Sequence, residues 1–241
     1  MQEHITYALI HSPLVGPFTW KFVSQALIRQ ELKAIIPALL DDPNSSLPYW
    51  QQHVESVAQD LIQTPQNESI VLVAHSGAGP LLPAIRDQLP NSICAYLFVD
   101  AGIPRDGLSR IELMKLEDKD WAGQFYESLL QGESFPTWTE DDLREIIPDK
   151  ESRQRLVAEI HPRSLSFFTE PIPVYDGWPD APCVYIKLSQ SYDWDAEEAN
   201  QAGWPVYEWK AGHFHMLVEP LAVADLIVKS VQKILDDSSL K

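Results

Sequence analysis

Six short, largely apolar segments, most of them followed by a stretch with helical spacing, set tight limits on what this chain can become. They are Ile5 to Ile10, Ala34 to Ala38, Ile70 to Val73, Ile93 to Val99, Val184 to Leu188 and Val206 to Trp209. A strand with one wet face alternates apolar and polar residues; a strand apolar throughout is covered on both faces. The helical patterns between them supply that cover. Thr19 stands as a cap before Trp20, Phe22, Val23, Ala26 and Leu27, and Tyr49 to Leu61 carries Val54, Val57, Ala58 and Leu61 on one stripe. Leu81, Leu82, Ala84 and Ile85 follow, then Ala196 to Gln201, and a closing helix with Val223, Leu226, Ile227, Val231, Ile234 and Leu235. Strand–helix alternation of this kind predicts an α/β fold: a mostly parallel six-stranded sheet with helices on both faces.

The alternation breaks between Gly102 and Ala181. There Trp121, Phe125, Tyr126, Leu129, Trp138, Leu143 and Ile146 precede Phe167, Phe168 and Tyr175 in short helical patterns. Residues 103–180 are therefore expected to form an inserted helical lid on a core made of residues 1–102 and 181–241. A turn-rich segment, Asp41-Asp42-Pro43-Asn44-Ser45-Ser46, separates the second strand from the helix after it, and Met1 to His4 run straight into the first strand. Open parallel sheets bind ligands outside the carboxyl ends of their strands. His11, Ser76, Asp100, Asp193 and His213 all fall at or just past such ends.

Two of these carry the chemistry. Ser76 follows the apolar strand in Ala74-His75-Ser76-Gly77-Ala78, where small residues permit a sharp bend into the next helix. His213 lies in Ala211-Gly212-His213-Phe214-His215, just beyond the sixth segment. A serine hydroxyl attacks an acyl carbon only when a base takes its proton, and an imidazole at a neighbouring strand end is such a base. His215 competes for that role. As a metal pair, His213 and His215 lack an accompanying carboxylate or cysteine cluster. No glycine-rich dinucleotide turn or phosphate loop is present, so no cofactor is expected.

In these residues the chain resembles the α/β-hydrolase superfamily, over nearly its full length and in the order nucleophile, lid, acid region, histidine. The sheet begins where the family's third strand normally stands. The resemblance implies a nucleophile at Ser76, in a form that departs from G-x-S-x-G at both glycines but keeps both positions small. It implies a base at His213 and an acid to orient it, with two alternatives. Asp193 lies past the fifth strand, near the family's usual position; Asp100 ends the fourth, as in some relatives that include certain haloalkane dehalogenases. An oxyanion hole is implied at Gly77 and the loop His11-Ser12-Pro13-Leu14. Pro13 has no N–H, which leaves Leu14 or the Ser12 hydroxyl as second donor. His11 and His75 are expected to make structural hydrogen bonds beside the site.

The chain has 241 residues, 45% of them hydrophobic, and a net charge of −17. That charge opposes binding to nucleic acid or to an anionic membrane. No stretch approaches the roughly 18 apolar residues of a membrane span. With no such span, and no basic segment followed by a long apolar run at the start, the cytoplasm is the expected location, and Cys94 and Cys183 read as small buried hydrophobes in a reducing compartment. The expected partner is a small-molecule substrate: a small to medium, uncharged, apolar ester. A lyase that uses Ser76 and His213 as a proton shuttle, as in the plant-type hydroxynitrile lyases, and a non-catalytic binding protein are the alternatives.

Overall fold

A computed structural model describes residues 5–42 and 44–239; Met1 to His4 and Pro43 of the segments named above lie outside them. Six strands form one sheet in the order β2-β1-β3-β4-β5-β6, every adjacent pair parallel. They are β1 (Ile5–Ile10), β2 (Lys33–Ile35), β3 (Ser69–Ser76), β4 (Ile93–Ala101), β5 (Cys183–Lys187) and β6 (Val206–Glu208). From β1 the chain steps outward to β2, then crosses back to β3 on β1's other side. The crevice at such a reversal is where parallel sheets take their ligands. Ser76 ends β3 at this point, and His11 follows β1.

Both faces of the sheet are covered, as strands apolar throughout require. Along β1, Tyr7 and Leu9 turn to one face and Ala8 and Ile10 to the other, the two-residue period of a strand. On the first face, α1 (Lys21–Arg29) and α9 (Pro220–Ser239) lay Val23, Leu27, Val223, Ile227 and Val231 against Leu9, Val73 and Val99. On the second, α2 (Tyr49–Leu61), α3 (Leu82–Asp87) and α8 (Asp193–Gln201) cover Ile10, Leu72, Tyr96 and Phe98 with Val54, Val57, Leu61, Ile85 and Ala199.

Strands β3 to β6 differ by one to three residues at an end from the segments expected, and two further boundaries differ for a clear physical reason. The second strand ends at Ile35, not Ala38, because Pro37 has no N–H to continue the ladder. Helix α8 begins at Asp193, three residues before Ala196, with Asp193 and Asp195 in a first turn whose dipole favours negative charge.

Between β4 and β5 lie α4 (Arg110–Glu117), α5 (Lys119–Leu130), α6 (Lys150–Ala158) and α7 (Leu165–Thr169). Ser109 and Glu112 form a capping box on α4, and Asp118 caps α5. The aromatic residues of this region mainly pack on one another. Phe167 and Phe168 meet edge to face at 5.0 Å, and Phe168 meets Phe125 at 5.1 Å. Their cluster also holds Leu14, from the loop after β1. Among the described residues no helix is long and apolar enough to cross a membrane.

Candidate active site

Ser76 sits at the end of β3 with φ of 57°, the left-handed region that costs a non-glycine residue about 1–3 kcal/mol. Small neighbours make the bend possible. The tightest contact is at Gly79, three residues on, where an added Cβ would lie 2.0 Å from the Gly102 carbonyl oxygen. The bend thus packs directly on the end of β4.

Asp100 is delivered by an irregularity in β4. His75 pairs with Val99 but Ser76 pairs with Ala101, so Asp100 is the extra residue of a β-bulge, with φ of 40°. Bulges re-aim a side chain. Here the carboxylate turns across the end of β5 and is fully buried. It accepts hydrogen bonds from Leu188 N (2.5 Å), Ser189 N (3.1 Å) and Ser189 Oγ (2.6 Å), and His213 Nδ1 lies 3.2 Å from its Oδ2. The Tyr185 hydroxyl satisfies both the N–H and the carbonyl of Ala101 beside the bulge. Asp193, the other candidate, is placed elsewhere: its side chain is 61% exposed and pairs with Lys187 at 2.8 Å.

With Nδ1 donating to Asp100, His213 presents a bare Nε2. Its ring meets two others, His75 at 4.4 Å and Tyr192 at 5.1 Å, the latter nearly parallel at 9°. His75 is fully buried, and burial holds its pKa well below the usual value. In the neutral ring Nε2–H donates to the His213 carbonyl oxygen at 3.0 Å, a structural hydrogen bond. His215 points away, edge-on to Trp209 at 4.5 Å.

The loop after β1 completes the site. His11 is buried, its pKa pushed down to about 4 by desolvation, and its Nδ1–H donates to Ser12 O at 2.9 Å. Leu14 N–H is directed to Ser12 Oγ at 3.3 Å. Ser12 Oγ in turn would lie 3.4 Å from a Cβ on Gly77, so its hydroxyl stands next to the Gly77 backbone. The segment after α6 clamps this loop. His161 N donates to Leu14 O, Phe18 N donates to Glu159 Oε2, and Arg163 donates to Pro13 O at 3.1 Å while holding Asp41 through two nitrogens.

One residue absent from the sequence reading stands at the centre. Tyr192 Oη is 3.0 Å from Ser76 Oγ, and among the described residues this is the hydroxyl's hydrogen bond; none runs from Ser76 to His213. Burial holds the phenol well above its ordinary pKa. Asp195 nearby is also pushed up, to about 7, by burial, while accepting from Ile103 N at 3.1 Å. Two surface cavities, of about 250 Å³ beside Trp50 and Tyr175 and about 500 Å³ beside Tyr207 and Leu226, contain none of these groups.

A strained serine at a strand–helix bend, beside a histidine whose far nitrogen meets a buried carboxylate, sits on a parallel sheet behind a helical insertion. A family profile described as "Alpha/beta hydrolase family" matches residues 9–226. The chain belongs to the alpha/beta hydrolase family. It is an enzyme of that family. Methylesterase 17 of Arabidopsis thaliana is 23% identical over 257 residues, covering 93% of this chain and 90% of that protein. An extracellular α/β-hydrolase from a Paenibacillus species, described as sharing structural and functional homology with tobacco salicylic acid binding protein 2, superposes with a TM-score of 0.73. It is 20% identical over 94% of this chain and 98% of its own. Polyneuridine aldehyde esterase follows at 0.69, 17% identical over 94% and 99%.

Proposed function

We propose that this hydrolase is a carboxylesterase that cleaves a small to medium, uncharged and largely apolar ester through an acyl-enzyme on Ser76. The observation that carries the reading is the Asp100–His213 contact directly beside the strained Ser76. Asp100 holds the imidazole in the tautomer whose Nε2 is free to accept a proton. Rotation of the Ser76 hydroxyl from Tyr192 toward His213 brings nucleophile and base together. Oγ then attacks the carbonyl carbon, its proton passes to Nε2, and the same proton leaves with the alcohol.

The developing oxyanion is met by the Gly77 N–H and by the Ser12 hydroxyl. Leu14's own N–H is directed to Ser12 Oγ, which leaves the Ser12 O–H to donate into the site. The names of the methylesterase and esterase relatives favour a small alkyl ester.

A panel of p-nitrophenyl esters of graded acyl length, assayed on wild type and Ser76→Ala, tests the reading. Hydrolysis that peaks at short or medium chains and disappears in Ser76→Ala is the expected result; activity that survives the substitution refutes it. The resting contact of Ser76 with Tyr192, in place of His213, favours a second reading, a lyase with Ser76 in a proton shuttle. That route forms no acyl-enzyme, so a pre-steady-state burst with an activated ester excludes it.

A further inference from the structure

Tyr192 has no part in the acyl-enzyme route above, yet its hydroxyl is the hydrogen-bond partner of the nucleophile. It arrives on the loop that also serves the acid. Leu188 N, Ser189 N and Ser189 Oγ bind Asp100, and three residues later the phenol reaches Ser76. One short loop between β5 and α8 thereby holds both ends of the catalytic set. The ring lies flat on the His213 imidazole, which fixes the hydroxyl beside the base.

The side of Ser76 on which it stands matters. In the sheet, β1 and β4 flank β3 on opposite sides. Ser12 and Gly77 face each other on the β1 side. Tyr192, like Asp100 and His213, comes from the β4–β5 side. In a tetrahedral adduct on Ser76 the oxyanion occupies the first side. The departing oxygen must occupy the second, because His213 has to protonate it. Two oxygens on one tetrahedral carbon lie closer together than a hydrogen bond is long. A hydroxyl 3.0 Å from Oγ is therefore within reach of the oxygen that leaves.

Resting on the esterase reading, we propose that Tyr192 is a catalytic residue that donates a hydrogen bond to the departing oxygen in each half of the reaction. In acylation the Oγ–C bond has formed and His213 carries the serine's proton. The C–O bond to the alcohol then breaks, its electron pair goes to the alkoxide oxygen, and His213 delivers the proton there. Tyr192 keeps its own proton and only donates. In deacylation water gives its proton to His213 and adds to the acyl carbon. The C–Oγ bond then breaks, its electron pair goes to Ser76 Oγ and His213 returns the proton there, so the departing oxygen is the one Tyr192 contacts in the structure. Burial and the nearby carboxylates of Asp195, Asp100 and Glu117 favour the neutral phenol, so the donor is in place throughout the working pH range.

Such a donor helps a poor leaving group more than a good one. Tyr192→Phe keeps the ring on His213 and removes only the hydroxyl. Its kcat/KM is compared with wild type on the methyl and p-nitrophenyl esters of one acid, and the p-nitrophenol burst is followed by stopped flow. The expected loss is about a hundredfold on the methyl ester against a few-fold on the p-nitrophenyl ester. Slower deacylation, in which serine is always the leaving group, makes the burst more pronounced. An equal loss on both esters, or no loss, with an unchanged burst, overturns the proposal. Failure of the esterase reading shows separately, in wild type: no turnover of either ester, or turnover that persists in Ser76→Ala.

Discussion

Asp100→Asn is nearly isosteric and separates the orienting role of this side chain from its bulk. The carboxylate is fully buried and receives Leu188 N, Ser189 N, Ser189 Oγ and His213 Nδ1. With Oδ1 retained as the acceptor for the two backbone N–H groups, the asparagine amide nitrogen faces Ser189 Oγ and His213 Nδ1. It donates where the carboxylate accepted. The imidazole must then bring Nδ1 as its acceptor and carry its proton on Nε2, which cannot take the proton of Ser76. The expected loss in kcat is about 10⁴, equivalent to about 5 kcal/mol of transition-state stabilisation. KM changes little, because no substrate contact is lost. Replacing charge-assisted hydrogen bonds by neutral ones costs about 1–3 kcal/mol of stability, a fall of roughly 2–12 °C in Tm for a chain of this length. Steady-state kinetics on the best ester, a thermal melt, and Asp193→Asn as control check all three. Asp100→Asn within tenfold of wild type, or Asp193→Asn showing the large loss, would falsify the assignment.

Gly79→Ala places a Cβ 2.0 Å from the Gly102 carbonyl oxygen and 3.2 Å from Ala101 Cβ; a stability loss of about 1–3 kcal/mol or more is expected in urea unfolding, and a neutral result refutes the close packing. Arg163→Met removes the clamp on Pro13 O and leaves Asp41, 12% exposed, with His53 as its remaining side-chain partner. About 3 kcal/mol of stability should go with it, together with a drop in kcat as the loop bearing Ser12 loosens; an unchanged kcat in folded protein contradicts the positioning role. His11 and His53 are both pushed down to about 4 by burial. Between pH 6.5 and 4 the unfolded chain takes protons on them that the folded chain refuses, so stability falls with pH through that window, by on the order of 3 kcal/mol for each group at its lower end. Melting curves at pH 7 and pH 5 read the slope, His11→Asn should flatten it, and equal slopes in the two proteins contradict the assignment.

The fold was legible in this sequence because its signals are local. Strands apolar throughout and the single stripe of Tyr49–Leu61 are patterns within a few residues, and they place the sheet, its faces and the Ser76 bend. What resisted reading depends on residues far apart. Asp100 and Asp193 both follow apolar segments, and only the bulge opposite Ser76 brings one of them to His213 while leaving the other on Lys187. Tyr192 meets Ser76 across 116 residues of chain, and Arg163 meets Pro13 across 150; neither has a periodicity or spacing that marks it. The aromatic residues between β4 and β5 read equally well as a substrate pocket or as a private core. The structure packs Phe125, Phe167 and Phe168 on one another, so they identify no substrate.

The central claim is that Ser76 becomes acylated. Wild type mixed with an excess of a p-nitrophenyl ester, quenched in acid within the first turnover and digested for mass spectrometry, tests it directly. The account predicts one acyl group per chain, on the peptide containing Ser76, and none in Ser76→Ala. Rapid turnover with no adduct at any quench time, or an adduct on another residue, contradicts it.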